Sequence, residues 1–296
     1  MPSFETDRPI ALSIDMTRCM GTIHVIAGDR TETVVTVNPS DRGRQIDVET
    51  AQQTAVALNG TNLTIRAPRR RGIAGYLGLG RSGSLDVTVE APRGSSLIAE
   101  AGFADFGCDG EFGDVDVQTG AGSVRIDRAG AVRVHSGAGR VTLERSSGRA
   151  DIATTGDITI GTIAAGADVK NHSGKTWISR VAGDVRVKSA NGDITIEAAD
   201  HDVDAKTANG DIRLGRVTRG SATLETACGG LEIGIAKGTA AWVDANTSFG
   251  RIHNALAPAD EPGQSAATVQ VRARTSFGDV LITRPQPDRE TDDNHA

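Results

Sequence analysis

The sequence predicts an all-β protein, a parallel β-solenoid of coils about 18 residues long carrying an N-terminal antiparallel β insertion. Three observations lead there. First, the chain has 36 glycines among 296 residues but only 2 Trp, 1 Tyr and 6 Phe. Aromatic side chains ordinarily fill wide cores, so a chain this poor in them calls for a thin interior packed with Val, Ile, Leu and Ala. Second, the segments GSVRI, GRVTL, GDITI, GKTWI, GDITI, GDIRL, GGLEI and GDVLI repeat from Gly122 to Gly278. The leading glycines Gly122, Gly139, Gly156, Gly174, Gly192, Gly210, Gly229, Gly250 and Gly278 are spaced by 17, 17, 18, 18, 18, 19, 21 and 28 residues. Third, apolar residues alternate strictly on both sides of each glycine, the signature of a strand with one buried face. Eighteen residues are too few for a strand–helix–strand unit, so successive coils must stack strand on strand.

Each coil follows the same plan. A short strand such as VDV (115–117), VRV (132–134) or VRV (185–187) comes first. A small polar residue follows at the next inward position: Thr119, Ser136, Thr154, Asn171, Ser189, Thr207, Thr226, Thr247 or Thr275. Its oxygen is placed to satisfy turn amides at the corner. The glycine then turns the chain, and a second strand runs inward at Val124/Ile126, Ile158/Ile160, Ile194/Ile196 and their equivalents. Nine such coils, at about 4.8 Å each, make a rod with an interior too narrow for aromatic rings. The last interval is lengthened by a Pro/Ala/Gly-rich loop, roughly 254–268.

The chain divides into an N-terminal β region (1–92), the solenoid repeats (93–284) and a polar, disordered tail (285–296). IALSIDM (10–16) and GTIHVI (21–26) read as one more coil. TETVVTV (31–37), RQIDVET (44–50), TAVAL (54–58) and NLTIRA (62–67) read as strands of an antiparallel cap, with Asn59-Gly60 as a hairpin turn. No helical period is visible. Such a cap blocks the unpaired edge that a terminal coil exposes.

The repeats GDVDVQTGAG (113–122), KNHSGKTWI (170–178), KSANGDITI (188–196) and KTANGDIRLG (206–215), with the closing RARTSFGDVLI (272–282), resemble the bacterial putative-adhesin domain of unknown function. This is the β-strand-repeat family numbered forty-ninety-seven, here in its actinobacterial form. The resemblance runs from about Ile10 to Arg284 and implies the solenoid fold. It also implies a protein without an assigned catalytic residue, acting through surface contact and, in some relatives, in cell-envelope stress systems.

The net charge of -6 gives no general electrostatic reason to bind nucleic acid. No apolar run approaches the roughly 20 residues of a membrane-spanning helix, and MPSFETDRPI has no basic-then-apolar leader pattern. Cys19, Cys108 and Cys228 are odd in number and widely separated, which fits buried thiols in a reducing compartment. The expected location is the cytoplasm.

Chemistry is sparse. His135 and Ser136 are neighbours, but alternation sends one outward and the other inward, so they make no nucleophile–base pair. The six histidines show no ligand spacing, and no cofactor is expected. Asp193 and Asp211 follow corner glycines in successive coils and are the best carboxylate pair, as turn residues, weak metal ligands or a hydrolase pair. Lys170, Lys188 and Lys206 form an outward stripe able to receive an anionic polymer or acidic partner. Trp177, between Thr159 and Thr195, offers a flat face for sugar stacking or a protein contact, and Trp242 also points outward. The loop RRRGIAGYLGLGRSG (69–83) joins Arg69, Arg70 and Arg71 to Tyr76 and several aliphatic residues, a mixture suited to a partner or membrane surface. The expected function is a non-catalytic interaction scaffold with a protein or polysaccharide partner. The alternatives are a carbohydrate- or envelope-binding module using the Trp/Thr face and a β-helix hydrolase. Self-association through the solenoid ends is a further expectation.

Overall fold

The computed structural model describes residues 2–68, 83–256 and 267–284. The 69–82 segment and the 285–296 tail, each singled out above, lie outside the described residues.

The fold is a parallel β-solenoid. The N-terminal region contains β1 (Ser3–Glu5), β2 (Ala11–Gly28), β3 (Glu32–Pro39), α1 (Gln45–Gln53), β4 (Ala55–Asn59), β5 (Asn62–Arg66), β6 (Ser84–Pro92) and β7 (Ser96–Glu111). The repeats then alternate between two strand rows. The first row holds β8 (Val115–Ala121), β10 (Val132–Ser136), β12 (Ala150–Thr154), β14 (Ala167–Ser173), β16 (Val185–Asn191), β18 (Val203–Asn209) and β20 (Gly220–Cys228). The second holds β9 (Val124–Ala129), β11 (Val141–Ser146), β13 (Ile158–Ile163), β15 (Thr176–Val181), β17 (Ile194–Ala199), β19 (Ile212–Val217) and β21 (Leu231–Ile235). The chain ends with β22 (Ala240–Phe249), β23 (Ile252–Asn254), β24 (Thr268–Phe277) and β25 (Val280–Thr283). From β8 to β21 each strand pairs in parallel with its equivalents one coil before and after, in unbroken register along the first row.

The core is a stack of fully buried Val, Ile, Leu and Ala from both rows. Two rings depart from the expectation of an interior without aromatics: Phe106 and Phe112 are each only 3% exposed. Both sit on or beside β7, where the register shifts between Cys108 and Glu111.

The corners are held by two hydrogen-bonded ladders. Most of the inward Ser/Thr/Asn side chains donate to the corner-glycine carbonyl of the preceding coil, and among them Asn171 also accepts a turn amide, from Ser173, as the sequence implied. Thr154 Oγ1 donates to Gly139 O (2.9 Å), Asn171 Nδ2 to Gly156 O (3.0 Å) and Thr226 Oγ1 to Gly210 O (3.0 Å). The corner amides already bond onward, Gly139 N to Thr155 O and Gly174 N to Asn191 O, so the carbonyls are the groups left needing a partner. The second ladder is made by Asp residues after the glycines. Their carboxylates accept the backbone N–H of the next coil, as Asp157 does from Lys175 (3.1 Å).

Two features of the ends differ from the sequence reading. Residues 44–50, read as a strand, belong mainly to helix α1. Its buried residues are Asp47 and Thr50, so it shows no apolar helical stripe; Asp47 accepts the Ser84 N–H at 2.9 Å. The coils at both ends are also exchanged in order. β2 lies between the coil formed by β5 and β6 and the one formed by β7. Likewise β24–β25 lies between β20–β21 and β22–β23. A parallel register fits either neighbour, so the period alone does not reveal the exchange. Its effect is to give β2 and β24 strand neighbours on both sides, which protects segments otherwise prone to fray. The N-terminal end is finished by antiparallel strands, β4 on β5 and β3 on β6, with β1 on β3.

Candidate functional site

The outward side chains of the first row form a continuous column. Register places Glu100, Gln118, His135, Ala153, Lys170, Lys188 and Lys206 one above another. Two residues on, the chain turns through small residues, among them Gly120, Gly137 and Ala190. A Cβ on Gly137 would stand 2.4 Å from Gly120 O, so the floor is bare at these glycines, while Thr155 and His172 carry side chains at the equivalent positions of the next two coils. Between column and floor runs a shallow groove of about 880 Å³, lined from Glu100 and Thr17 through His135 and Ser136 to Lys170, His172 and Lys188. It spans seven coils, roughly 29 Å at the inter-strand spacing. One end is acidic and the other carries two ammonium groups.

The lysine stripe is unevenly neutralised. Lys206 lies 3.0 Å from Glu225 and 3.7 Å from Asp204, and the Glu225 hydrogen bond pushes its ammonium above the usual lysine range. Lys170 is 3.8 Å from Asp168. Lys188 has no ion pair among the described residues. Beside the column runs a second one, Asp116, Arg133, Asp151, Asp168, Arg186 and Asp204, in which Arg133 meets Asp116 at 3.3 Å and Arg186 meets Asp204 at 3.4 Å. Lys170 and Lys188 therefore face the groove as local donors in a surface of mixed charge.

Trp177 lies on the other strand row. Register stacks Thr159, Trp177 and Thr195 as the sequence implied. The indole is 38% exposed, and its N–H donates to Glu197 at 3.3 Å. This face is distinct from the groove, so the lysines and Trp177 do not meet in one site. Asp193 and Asp211 occupy successive corners, where Asp193 accepts the Asp211 N–H (3.1 Å) and Asp211 accepts the Gly230 N–H (2.7 Å). One oxygen of each serves the corner ladder. Ser136 Oγ donates inward to Ala138 O at 3.1 Å, with His135 outward. Arg69, Arg70, Arg71 and Tyr76 fall outside the described residues.

Glu100, Gln118, His135 and His172 are groove residues that sequence reasoning passed over. Stepping back from Lys188 by one coil at a time reaches Lys170, Ala153, His135, Gln118 and Glu100, so the signal was the period itself, read beyond the lysines.

A stack of parallel coils with ladder-held corners defines a parallel β-solenoid of the β-repeat class. A family model described as Toastrack DUF4097 matches residues 12–284, and the chain belongs to that family. Solved structures with similarity include a putative adhesin from Parabacteroides merdae, at 10% identity and TM-score 0.46, covering 96% of this chain and 95% of that one. A putative adhesin from Bacteroides fragilis shows 9% identity and TM-score 0.36, with 95% of each chain covered. A putative lipid binding protein from Parabacteroides distasonis shows 8% identity and TM-score 0.33, with 96% of each covered. No curated protein matches.

Proposed function

We propose that the chain is a non-catalytic binding rod that holds an extended polar chain along the groove, with acidic groups of that ligand over Lys170 and Lys188. The observation that carries this reading is the continuity of the groove across seven coils on a rigid stack. Rigidity keeps the ordering cost of binding on the ligand's side. Two further features favour binding over catalysis: Ser136 is turned away from His135, and one oxygen each of Asp193 and Asp211 is engaged by a backbone N–H of the next coil. The three cysteines are free thiols, which supports a reducing compartment such as the cytoplasm.

The test is fluorescence anisotropy at low salt with two labelled probes, oligoglutamate and oligogalacturonate, which separate a peptide from a sugar backbone. Binding of either probe is expected to weaken about fivefold or more in Lys170→Glu/Lys188→Glu and to fall with added salt. Trp177→Ala should leave it unchanged. Absence of binding by both probes, or binding indifferent to the lysine reversals, overturns the reading. A second reading rests on the exposed Trp177 ring between Thr159 and Thr195, which suits a neutral sugar. It predicts glycan-array binding that Trp177→Ala abolishes.

A further inference from the structure

We propose that the C-terminal end of the rod is a self-association surface, through which two copies join end to end about a two-fold axis with β22 pairing antiparallel to the β22 of a second copy. The sheet does not finish at this end. β22 has β24 on one side and β23 has β25, and neither has a strand on the other side among the described residues. Among the described residues, one row of backbone N–H and C=O groups on each strand has no strand partner. The open edge is ten residues long and carries a single charge, Asp244. It has none of the lysines, prolines or bulges that keep edge strands of monomeric proteins apart.

The end is also apolar. Trp242 is 75% exposed, Phe249 68%, Phe277 54% and Ile252 47%, and Phe249 stacks on Phe277 with ring centroids 5.0 Å apart. Ala241, Val243 and Ala245 face inward yet remain only partly buried, because no further coil lies over them. Residues 257–266 and 285–296 contain no Val, Ile, Leu, Met, Phe, Tyr or Trp.

The occupant that fits is a second copy. A two-fold axis normal to the rows extends both at once, so β22 meets β22, β23 approaches β23 and the two cores become continuous. Period-2 alternation restricts the register, because a one-residue slip turns the inward faces out. Centring the pair on Asp244 sets the two Asp244 side chains against each other. Centring it on Ala245 uses nearly the whole edge and sets Asp244 opposite the second copy's Asn246. In one copy Asp244 stands beside Arg272 (3.9 Å) and near Arg274 (3.8 Å), and Asn246 stands beside Arg274 in register. Across the junction the outward row then reads Arg272, Asp244, Asn246, Arg274, a complementary order with no like charges adjacent. The opposite end of the rod offers β4 and β1, five and three residues long, and no such edge.

Sedimentation velocity on the full chain tests this. The expected result is a monomer–dimer equilibrium that Asn246→Asp weakens about fivefold or more and Asn246→Lys strengthens, since each change places a charge opposite Asp244 twice per dimer. Both positions are exposed, so thermal unfolding checks that either variant folds. In a Cys228→Ser background, Ala245→Cys should give an oxidised dimer on a non-reducing gel. A monomer at all concentrations, equal effects of the two Asn246 variants, or failure of Ala245→Cys to cross-link overturns the proposal.

Discussion

Replacing Gly192 by alanine tests the corner geometry from which the rest of the account follows. Gly192 has φ +128°, and a Cβ there would lie 2.1 Å from Gly174 O of the preceding coil. Two penalties combine. Holding a non-glycine residue in this region costs about 1–3 kcal/mol, and driving a methyl group into a backbone oxygen costs about 1–3 kcal/mol more, because the coil spacing must open. A destabilisation of about 3 kcal/mol or more follows. Gly60 is the control: its φ is +61° and nothing lies within 4 Å of its Cβ position, so Gly60→Ala loses only the conformational part, about 1–2 kcal/mol. At about 2–4 °C per kcal/mol, Gly192→Ala should lower Tm by about 6 °C or more, and Gly60→Ala by roughly two-thirds of that or less. Thermal unfolding followed by circular dichroism reads both. Equal shifts for the two variants would refute the argument that the coils pack backbone against backbone at the corner.

Asn171→Leu leaves the carbonyls of Gly156 and Gly174 without the Nδ2 donor that each receives at 3.0 Å; about 2 kcal/mol of stability should be lost, measurable in urea. Cys228 is exposed, whereas Cys19 and Cys108 are buried, and burial pushes the Cys108 thiol up to about 12. A thiol reagent should therefore titrate Cys228 quickly in the native protein and all three only after denaturation. The Asp157 carboxyl is held below its ordinary range, first by the Lys175 N–H and then by Arg140. A depressed carboxylate stabilises the fold above its unfolded pKa, and that contribution is lost as pH falls through the folded value. Asp157→Asn should thus be less stable than the parent at neutral pH, with the difference closing in acid, as unfolding curves across pH will show.

The corner glycines, the buried polar ladder and the row of Lys170, Lys188 and Lys206 were legible because a stacked coil makes sequence period and spatial neighbour the same thing. Helix α1 was not legible: Ile46 and Val48 alternate like a strand, while the residues it buries are Asp47 and Thr50, with Asp47 held by distant Ser84 and nearby Arg44. The exchange of the last two coils was hidden for a different reason. Gly229 O fills the Cβ site of Gly278, and Gly278 O fills that of Gly250, so every corner satisfies the same rule whichever coil comes next. The 28-residue interval from Gly250 to Gly278 was the trace it left. The groove escaped notice because its floor is defined by what Gly120 and Gly137 lack.

The central claim is that the rod binds along its first row of strands. Photo-cross-linking of an oligoglutamate probe carrying benzophenone, with adducts mapped by mass spectrometry, addresses it directly. Adducts confined to the column from Gln118 to Lys188 and lost in Lys170→Glu/Lys188→Glu are the predicted result. Adducts along Thr159, Trp177 and Thr195, or spread evenly over both rows, would contradict it.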